Sequence, residues 1–531
     1  MVRRTDEVES LASRPDADAN RRPKPRTPRE PSMIFRQKDL HELVQGRLSD
    51  YRILVIANRE PYIHEHVDGE IQVSRPASGL ATALDPVLMA CDGTWVAHGG
   101  GDADRETVDE NDRVRVPPDD PRYTLRRVWL TPEQEEGYYY GLANGGLWPL
   151  CHITFTRPRF DPRDWETYRE VNRLFADAIL QEVGDDPAFI FIQDFHFGLL
   201  PRMLKQSHPR LIVAQFWHIP WPNREVFRTF PWAEELLDGM LGNDLLGFHV
   251  HYHCQNFLDT VDRGIEALVD IDQFEVQRGG HSTLVRPFPI SIDFEAHDLQ
   301  ARSDRVADAM TRWKNTLKLE DDHAVGVGIE RLDYTKGIPD RLRGLDFLLE
   351  IHPEYIGKLR FIQVAVPSRT HVPAYEQIAR EVQETVDQIN ARWGTGDWQP
   401  ITYITRRQGP VDMMALHRLA RFCIVSSLHD GMNLVAKEFV ASRIDEDGVL
   451  ILSRFTGAAR EFTDALLINP FSVGESAEAV HRALTMPEED RRKRMERLRS
   501  EVRKNNVYRW AGRILSTLLK FDFPEGTEGE N

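Results

Sequence analysis

The sequence has little of what marks several protein classes. Its 531 residues include only four cysteines, widely scattered without a Cys-x-x-Cys pair, which argues against a zinc cage or a disulfide framework and favours a reducing compartment. No apolar run approaches the ~18 residues that span a bilayer. Lysine and arginine total 67 against 84 acidic residues, and the net charge of −17 disfavours nucleic acid as a partner. We therefore expect a cytoplasmic protein that binds neither nucleic acid nor membrane.

Both ends of the chain differ from its middle. Residues 1–33 are rich in Arg, Pro, Asp and Glu and lack an apolar stretch, which predicts a disordered tail rather than a signal peptide. A second, short disordered tail is expected at residues 524–531.

Between the tails, short apolar runs alternate with amphipathic segments. The runs are rich in Val, Ile and Leu without polar alternation, as expected of strands buried on both faces. Strand–helix alternation of this kind predicts an α/β fold with parallel sheets. A break near residues 289–298 separates two series, which predicts two doubly wound domains with a ligand site in the cleft between them. The runs lie at 51–59, 188–194 and 210–218 and, in the second series, at 324–330, 359–366, 401–405, 422–427, 449–453 and 465–469.

The clearest chemistry follows the first strand of the second series, in "GIERLDYTKGIPDRL". Arg331 and Lys336 lie just past a predicted strand and before a helix. Two cations beside a helix N-terminus indicate an anion site, most simply for phosphate. Taken alone, the segment is equally well explained as a solvated loop with surface charges.

A second polar segment, "HDGMNLVAKE", also follows a strand and opens a helix. Asp430 can accept hydrogen bonds from sugar hydroxyls, and the amides from Gly431 to Leu434 can donate to sugar or phosphate oxygens. Glu438 can bind both hydroxyls of a ribose. Each acid alone is better explained as a helix cap or a surface residue, but the combination points to a nucleotide sugar.

"RLDYTKG" and "DGMNLVAKE" resemble the signatures of trehalose-6-phosphate synthases, and the resemblance runs from about Tyr51 to Leu519. It implies a GT-B fold of two Rossmann-like domains: an acceptor domain at 34–293, a nucleotide-sugar domain at 294–490, and helices at 491–523 that cross back to the first domain. It also implies retaining transfer of glucose from a nucleoside diphosphate glucose, UDP-glucose above all, to glucose 6-phosphate. No cofactor or metal is expected, and a homo-oligomer is compatible with the sequence.

The resemblance further assigns roles residue by residue. It implies that Arg331, Lys336 and Asp194 are catalytic. The donor-binding set comprises Ser78, Gly79, His218, Arg331, Lys336, Asp430, Gly431, Met432, Asn433, Leu434, Val435, Ala436, Lys437 and Glu438. The acceptor-binding set comprises Arg59, Trp95, Tyr139, Trp148, Asp194 and Arg369.

Two alternatives stay open. "REPY" (59–62) and "TWVA" (94–97) look somewhat like a related enzyme that glucosylates glycerol 3-phosphate, and "WVAHGGG" (95–101) departs from the usual pattern of the family. Arg369 favours the larger acceptor, because a hexose phosphate places its phosphate farther from the reacting hydroxyl. The other alternative is an inactive homologue that senses sugar phosphates.

Two further segments imitate metal sites. "HVHYHC" (249–254) is read as a strand end turning into a helix, which would splay its histidines, and "DAD" (102–104) lies in a polar loop with no strand leading in.

Overall fold

In the computed structural model, residues 34–75, 79–320, 323–369 and 371–520 are described. Their strands are, in chain order, β1 (Arg52–Arg59), β2 (Ile63–Val67), β3 (Glu70–Ser74), β4 (Thr94–His98), β5 (Arg113–Val116), β6 (Tyr123–Val128), β7 (Ala188–Gln193), β8 (Ile212–Phe216), β9 (Leu245–Phe248), β10 (Leu268–Asp270), β11 (Glu275–Arg278), β12 (His281–Pro287), β13 (Ala324–Arg331), β14 (Leu359–Val366), β15 (Ile401–Ile404), β16 (Phe422–Val425), β17 (Val449–Ser453) and β18 (Leu466–Ile468). The tails predicted at 1–33 and 524–531 lie outside the described residues.

Two large sheets divide these strands. The first has the order β10-β11-β12-β9-β8-β7-β1-β4-β6-β5. Its strands from β12 to β6 pair in parallel, while β5, β10 and β11 pair antiparallel at the two edges. The second sheet, β15-β14-β13-β16-β17-β18, is parallel throughout. A separate antiparallel hairpin, β2–β3, follows the first strand.

Helices cover the sheets, as parallel strands require. They are α1 (Gln37–Arg47), α2 (Gly79–Cys91), α3 (Pro132–Glu135), α4 (Trp148–His152), α5 (Pro162–Val183), α6 (Leu200–Ser207), α7 (Arg224–Phe227), α8 (Ala233–Met240), α9 (His251–Gly264), α10 (Phe294–Ala301), α11 (Asp304–Thr316), α12 (Ile338–Ile351), α13 (Pro373–Trp393), α14 (Pro410–Leu419), α15 (Leu434–Ser442), α16 (Val473–Thr485), α17 (Glu488–Lys504) and α18 (Val507–Leu519). A π-helical segment, Glu136–Leu147, leads into α4.

The sheet β10–β5 with its helices is called the first lobe, and the sheet β15–β18 with its helices is called the second lobe. The last helix lies against the first lobe rather than the second. α18 packs on α1 and α2, and Asn506, which caps α18, also donates from Nδ2 to the carbonyl of Phe35 at 2.8 Å. Trp510 contacts Phe191 and Phe216, with ring centroids 5.6 and 5.2 Å apart. The domain boundaries at 293 and 490 themselves stay predictions.

The α/β class with two parallel-containing sheets is confirmed. All nine predicted strand segments are strands, and β14 and β17 have the predicted bounds. Within the described ranges, no helix has both the length and the apolar character that a membrane crossing requires.

Candidate active site

The polar residues singled out from the sequence meet where strands of the two sheets end. In open α/β sheets, ligands bind in the crevice at the carboxyl ends of the strands. From the first sheet come Arg59 at the end of β1, Asp194 after β7 and His218 after β8; from the second come Arg331 at the end of β13, Arg369 after β14 and Asp430 after β16.

Cations from both lobes converge on two aromatic rings. Arg59 donates from Nη2 to the Tyr139 hydroxyl at 2.8 Å. The Arg369 guanidinium lies 4.8 Å from the ring centre of Trp148, and that of Arg331 lies 6.0 Å from it. Tyr139 and Trp148 come from the π-helical segment and the start of α4, so the first lobe supplies the rings and the second lobe supplies two of the three guanidinium groups. Such a cluster is suited to an anion.

One buried acid partly balances this cluster. Asp333, from the motif "RLDYTKG", lies 3.5 Å from Arg369 Nη1 and accepts from the Tyr375 hydroxyl at 3.0 Å. Burial would raise the pKa of Asp333, but Arg369, Lys336 and Arg331 hold it below the usual value. The sequence analysis did not assign Asp333 or Tyr375. The position of Asp333 between Arg331 and Lys336 was the available signal.

The charge cluster also acts on Tyr139. Burial opposes ionisation of its hydroxyl, but Arg369 and Arg59 outweigh burial and lower the pKa of Tyr139 to about 7. An ionisable hydroxyl therefore lies among three guanidinium groups.

Lys336, the second cation of the predicted diphosphate site, is paired with an acid. Lys336 Nζ lies 2.6 Å from Asp430, which also accepts from the Ser427 hydroxyl at 3.0 Å and from Asn433 Nδ2 at 3.2 Å. Burial alone would raise the pKa of Asp430, but Lys336 lowers it strongly. The turn between Lys336 and α12 needs Gly337, which has φ of +60° and whose Cβ would collide with the carbonyl of Ser426.

Helix α15 begins at Leu434, within the segment "HDGMNLVAKE" that the sequence predicts to open a helix. Asn433 caps it, accepting from the Ala436 amide at 3.1 Å. No hydrogen bond to the Glu438 carboxylate is found within the described part of the chain, and burial raises its pKa to about 7. Lys437 differs from its neighbours: its ammonium bonds to Glu461 at 2.7 Å and to the Ile290 carbonyl at 2.8 Å. Because these partners occupy its ammonium group, only the backbone of Lys437 is left for the predicted donor contact.

Asp194 and His218 lie side by side on the first lobe. The His218 amide donates to Asp194 Oδ1 at 3.1 Å, and the His218 ring shares a 2.9 Å hydrogen bond with Gln193. Burial raises the pKa of Asp194 to about 7 against the pull of the Phe195 and His218 amides, and burial lowers the pKa of His218 to about 3. Asp194 also has φ of +71°, a strained value for a non-glycine residue.

The two lobes touch directly at this point. His429 donates from Nδ1 to the carbonyl of His152 at 3.0 Å. A Cβ on Gly431 would collide with the carbonyl of His218, so only glycine fits this approach. The donor-side loop of the second lobe therefore lies against the first lobe.

Trp95, Ser78 and Gly79 also belong to the predicted ligand-binding sets. Trp95 is 0% exposed within the core, in the middle of the parallel sheet between β1 and β6, so its burial gives the predicted acceptor contact no support, and that contact stays a prediction. A tryptophan in a strand points to one face of the sheet, and this face is packed. Ser78 lies outside the described residues, and Gly79 is the first residue of α2.

The two segments that imitate metal sites have structural roles. α9 begins at His251, so the histidines of 249–254 are splayed as predicted. The "DAD" acids accept from backbone amides: Asp102 from His66 at 2.8 Å and Asp104 from His64 at 2.8 Å.

One group with metal-ligand spacing occurs among the described residues, on the second lobe. Atoms of His352, Glu354 and His481 lie within 4.8 Å of one another. The two imidazole rings stack, with centroids 3.9 Å apart and planes 7° apart. Their in-plane lone pairs therefore run side by side and do not converge on one ion.

Two sheets of parallel strands, with cations and a helix N-terminus at their facing ends, define a glycosyltransferase of the GT-B class. The family model of glycosyltransferase family 20 matches residues 51–520. The chain belongs to this family, and the resemblance inferred from its motifs is confirmed.

Curated relatives are similar to this chain along most of its length. The alpha,alpha-trehalose-phosphate synthase [UDP-forming] of Candida albicans is 33% identical over 90% of this chain and 98% of its own length. The trehalose-6-phosphate synthase of Mycolicibacterium vanbaalenii is 36% identical over 91% and 99%. The bifunctional trehalose-6-phosphate synthase/phosphatase of Thermoproteus tenax is 36% identical, but the match spans 63% of that longer protein.

Solved structures share this fold along most of the chain. An E. coli structure described as "Trehalose-6-phosphate … bound with UDP-2-fluoro glucose" has a TM-score of 0.79 at 30% identity, covering 89% of this chain and 99% of that one. The UDP-forming alpha,alpha-trehalose-phosphate synthase of Burkholderia xenovorans, in complex with glucose-6-phosphate, has a TM-score of 0.79 at 28% identity, covering 88% and 99%.

Proposed function

We propose that this chain transfers glucose from UDP-glucose to glucose 6-phosphate with retention, giving α,α-trehalose 6-phosphate. The observation that carries the proposal is the convergence of Arg59, Arg331 and Arg369 from two lobes beside the paired Lys336 and Asp430. A phosphate on the acceptor and a diphosphate on the donor would both find cations there. The relatives' activity as named, and the glucose-6-phosphate bound to the Burkholderia xenovorans protein, support the same substrates.

On the acceptor side, Arg59 and Arg369 bind the phosphate of glucose 6-phosphate. They come from different lobes, so the acceptor phosphate bridges the cleft. Charge-assisted hydrogen bonds of this kind are the strong ones. Asp194, which follows β7 on the floor of the same cleft, accepts from a sugar hydroxyl.

On the donor side, Arg331 and Lys336 hold the diphosphate and stabilise the negative charge that develops as it leaves. Glu438 binds the ribose hydroxyls, since its carboxylate has no hydrogen-bond partner in the described ranges. The amides at the start of α15 and the carboxylate of Asp430 take the remaining sugar and phosphate oxygens.

Retention constrains how the bonds change. The bond from glucose C1 to the diphosphate oxygen breaks, and a bond from C1 to the acceptor's anomeric oxygen forms on the same face. The leaving phosphate oxygen therefore lies next to the acceptor hydroxyl and can take its proton. Arg331 and Lys336, which neutralise the diphosphate, are on that same face of the reaction.

The acceptor is tested by a grid of UDP-, ADP- and GDP-glucose against glucose 6-phosphate and glycerol 3-phosphate, with purified protein and product detection by mass spectrometry. We expect the highest kcat/KM for UDP-glucose with glucose 6-phosphate. Faster turnover of glycerol 3-phosphate would replace the proposal with the glucosylglycerol-phosphate alternative. Binding without turnover of any pair would favour the sensor alternative. The cytoplasmic location, the domain boundaries and a homo-oligomer stay predictions.

A further inference from the structure

A cluster of buried charged residues includes Glu60, which directly follows Arg59 in the chain, and no role has been assigned to it so far. Glu60, Asp104, Arg127 and His64 are 2%, 0%, 1% and 6% exposed. Arg127 donates from Nε to Glu60 at 2.8 Å, and its Nη2 lies 2.7 Å from Asp104 Oδ1 and 2.8 Å from His64 Nδ1. Buried charges in proteins are retained when they are paired and hydrogen-bonded, as these are.

The cluster binds backbone amides as well as side chains. Glu60 accepts from the Gly100 amide at 3.0 Å, and Asp104 accepts from the Gly101 amide at 2.7 Å. It therefore fixes the loop that leaves β4 through Gly99, Gly100 and Gly101. Because Gly99 and Gly101 have no room for a Cβ, this loop has essentially one packing.

The position of the cluster links it to the acceptor. Glu60 directly follows Arg59, and Arg59 pairs in register with His98, the last residue of β4. The cluster thus holds the two neighbouring loops that leave β1 and β4 at the edge of the cleft. Arg127 comes from β6, the next strand of the sheet, so it ties both loops to a third strand.

We propose that Glu60, Asp104 and Arg127 form a positioning device for the acceptor phosphate, which holds Arg59 and the glycine loop 99–101 in binding geometry. The device brings together residues from three segments: Glu60 of "REPY", the glycines of "HGGG" and Asp104 of "DAD". The family resemblance assigned no role to these residues. The inference rests on the proposed function, since it takes Arg59 as a ligand of the acceptor phosphate.

The charges of the device balance if Glu60 keeps its proton. Burial and contact with Asp104 raise the pKa of Glu60 to about 8, while Arg127 and the Gly100 amide act in the opposite direction. Burial would raise the pKa of Asp104, but hydrogen bonds from His64 and Glu60 and the charge of Arg127 lower it to about 2. Below pH 8 one guanidinium faces one carboxylate. Above pH 8 the cluster gains a second negative charge next to the loop that carries Arg59, and acceptor binding weakens.

The test compares Glu60→Ala and Glu60→Gln with the wild type, in kinetics with UDP-glucose and each of the two phosphate acceptors. Glu60→Ala should raise the acceptor KM about tenfold, the scale of one lost charge-assisted hydrogen bond, and leave the donor KM within about twofold. Glu60→Gln should restore most of this loss. The wild-type acceptor KM should rise above pH 8, and this rise should be smaller in Glu60→Gln because an amide does not titrate, which leaves only the contribution of other groups such as Tyr139.

Asp102→Asn is the matched control, because Asp102 belongs to the same "DAD" segment but is exposed and outside the device. It should leave both KM values and the pH profile unchanged. An unchanged acceptor KM in folded Glu60→Ala, or a rise above pH 8 that is as steep in Glu60→Gln as in the wild type, would overturn the inference. If Glu60→Ala fails to fold, the Glu60→Gln pH profile decides.

A wrong proposed function can be distinguished from a wrong positioning device. If the wild type turns over neither acceptor, calorimetric binding of glucose 6-phosphate and glycerol 3-phosphate in the presence of UDP replaces kinetics. A weaker affinity in Glu60→Ala but not in Asp102→Asn would then support the device without the reaction. Equal affinities in all three proteins would reject it.

Discussion

The two sides of the cleft use the same kinds of residue but gather them from different lobes. On the donor side Lys336 is paired with Asp430 at 2.6 Å, and no acidic side chain of the described residues pairs with Arg331. On the acceptor side Asp333 lies 3.5 Å from Arg369, and Arg59 donates to the Tyr139 hydroxyl without an acidic partner in the described ranges. Each side therefore keeps one guanidinium group without a carboxylate at ion-pair distance. Both donor cations come from the second lobe, whereas each lobe supplies one acceptor cation.

This difference suits the two ligands. A nucleotide sugar is large and gains binding from many backbone and side-chain contacts, which the second lobe can supply by itself. Glucose 6-phosphate offers one compact dianion and few other contacts, and its two cations come together only across the cleft. Preorganised cations bind such a group at low reorganisation cost.

The largest effect is expected on the donor side. Arg331→Ala or Lys336→Ala should reduce kcat by roughly two orders of magnitude or more, because each removes a cation that stabilises the leaving diphosphate. Steady-state kinetics at saturating substrates measure this. Arg343→Ala, which removes an exposed cation on the following helix, should be close to wild type. A near-normal kcat in a folded Arg331 or Lys336 variant would remove that residue from the mechanism.

The next effect should fall on the acceptor alone. Arg369→Ala should raise the KM for glucose 6-phosphate by roughly ten- to a hundredfold, since one charge-assisted hydrogen bond contributes about 1.5–3 kcal/mol. The KM for UDP-glucose should barely change. If both KM values rise together, the two sides of the cleft are not separate, and the contrast drawn between them is wrong.

A smaller effect should come from Tyr139. Burial opposes its ionisation, yet Arg369 and Arg59 lower its pKa to about 7. Above that pH a phenolate competes with the acceptor phosphate for the same guanidinium groups, so acceptor affinity should fall between pH 7 and 8. In Tyr139→Phe this fall should be absent, and the KM at pH 7 should change only a few-fold. A fall of equal size in the phenylalanine variant would assign the titration to another group.

The smallest effect is expected from chelation. Because Arg331 and Lys336 supply two fixed positive charges at the diphosphate, prolonged treatment with EDTA should leave the rate unchanged. Loss of activity that manganese or zinc restores would show that the donor side needs a metal as well.

Sequence reasoning predicted the fold because parallel strands buried on both faces leave continuous apolar runs, such as those that became β13 and β14. It located Arg331 and Asp430 because strand-end loops before helices form a recognisable pattern. It missed the short strands at the edges of the first sheet, whose polar residues give no such run. It also missed Asp333 with Tyr375, and Glu60 with Arg127, since these pairs are 42 and 67 residues apart in the chain.

Trp95 marks a limit of the family resemblance. The resemblance assigns it to the acceptor set, but the orientation of a strand side chain depends on the register with its neighbours. Trp95 lies opposite Val55 in β1 and Leu125 in β6, within the hydrophobic core. That pairing spans distant parts of the chain and is not encoded in any local pattern.

The anomeric configuration of the product tests the central claim most directly. Proton NMR of the disaccharide phosphate formed from UDP-glucose and glucose 6-phosphate reports the linkage at both glucose C1 atoms. The account predicts an α configuration at both, as in α,α-trehalose 6-phosphate. A β linkage at the transferred glucose, or the absence of a disaccharide phosphate, would contradict it.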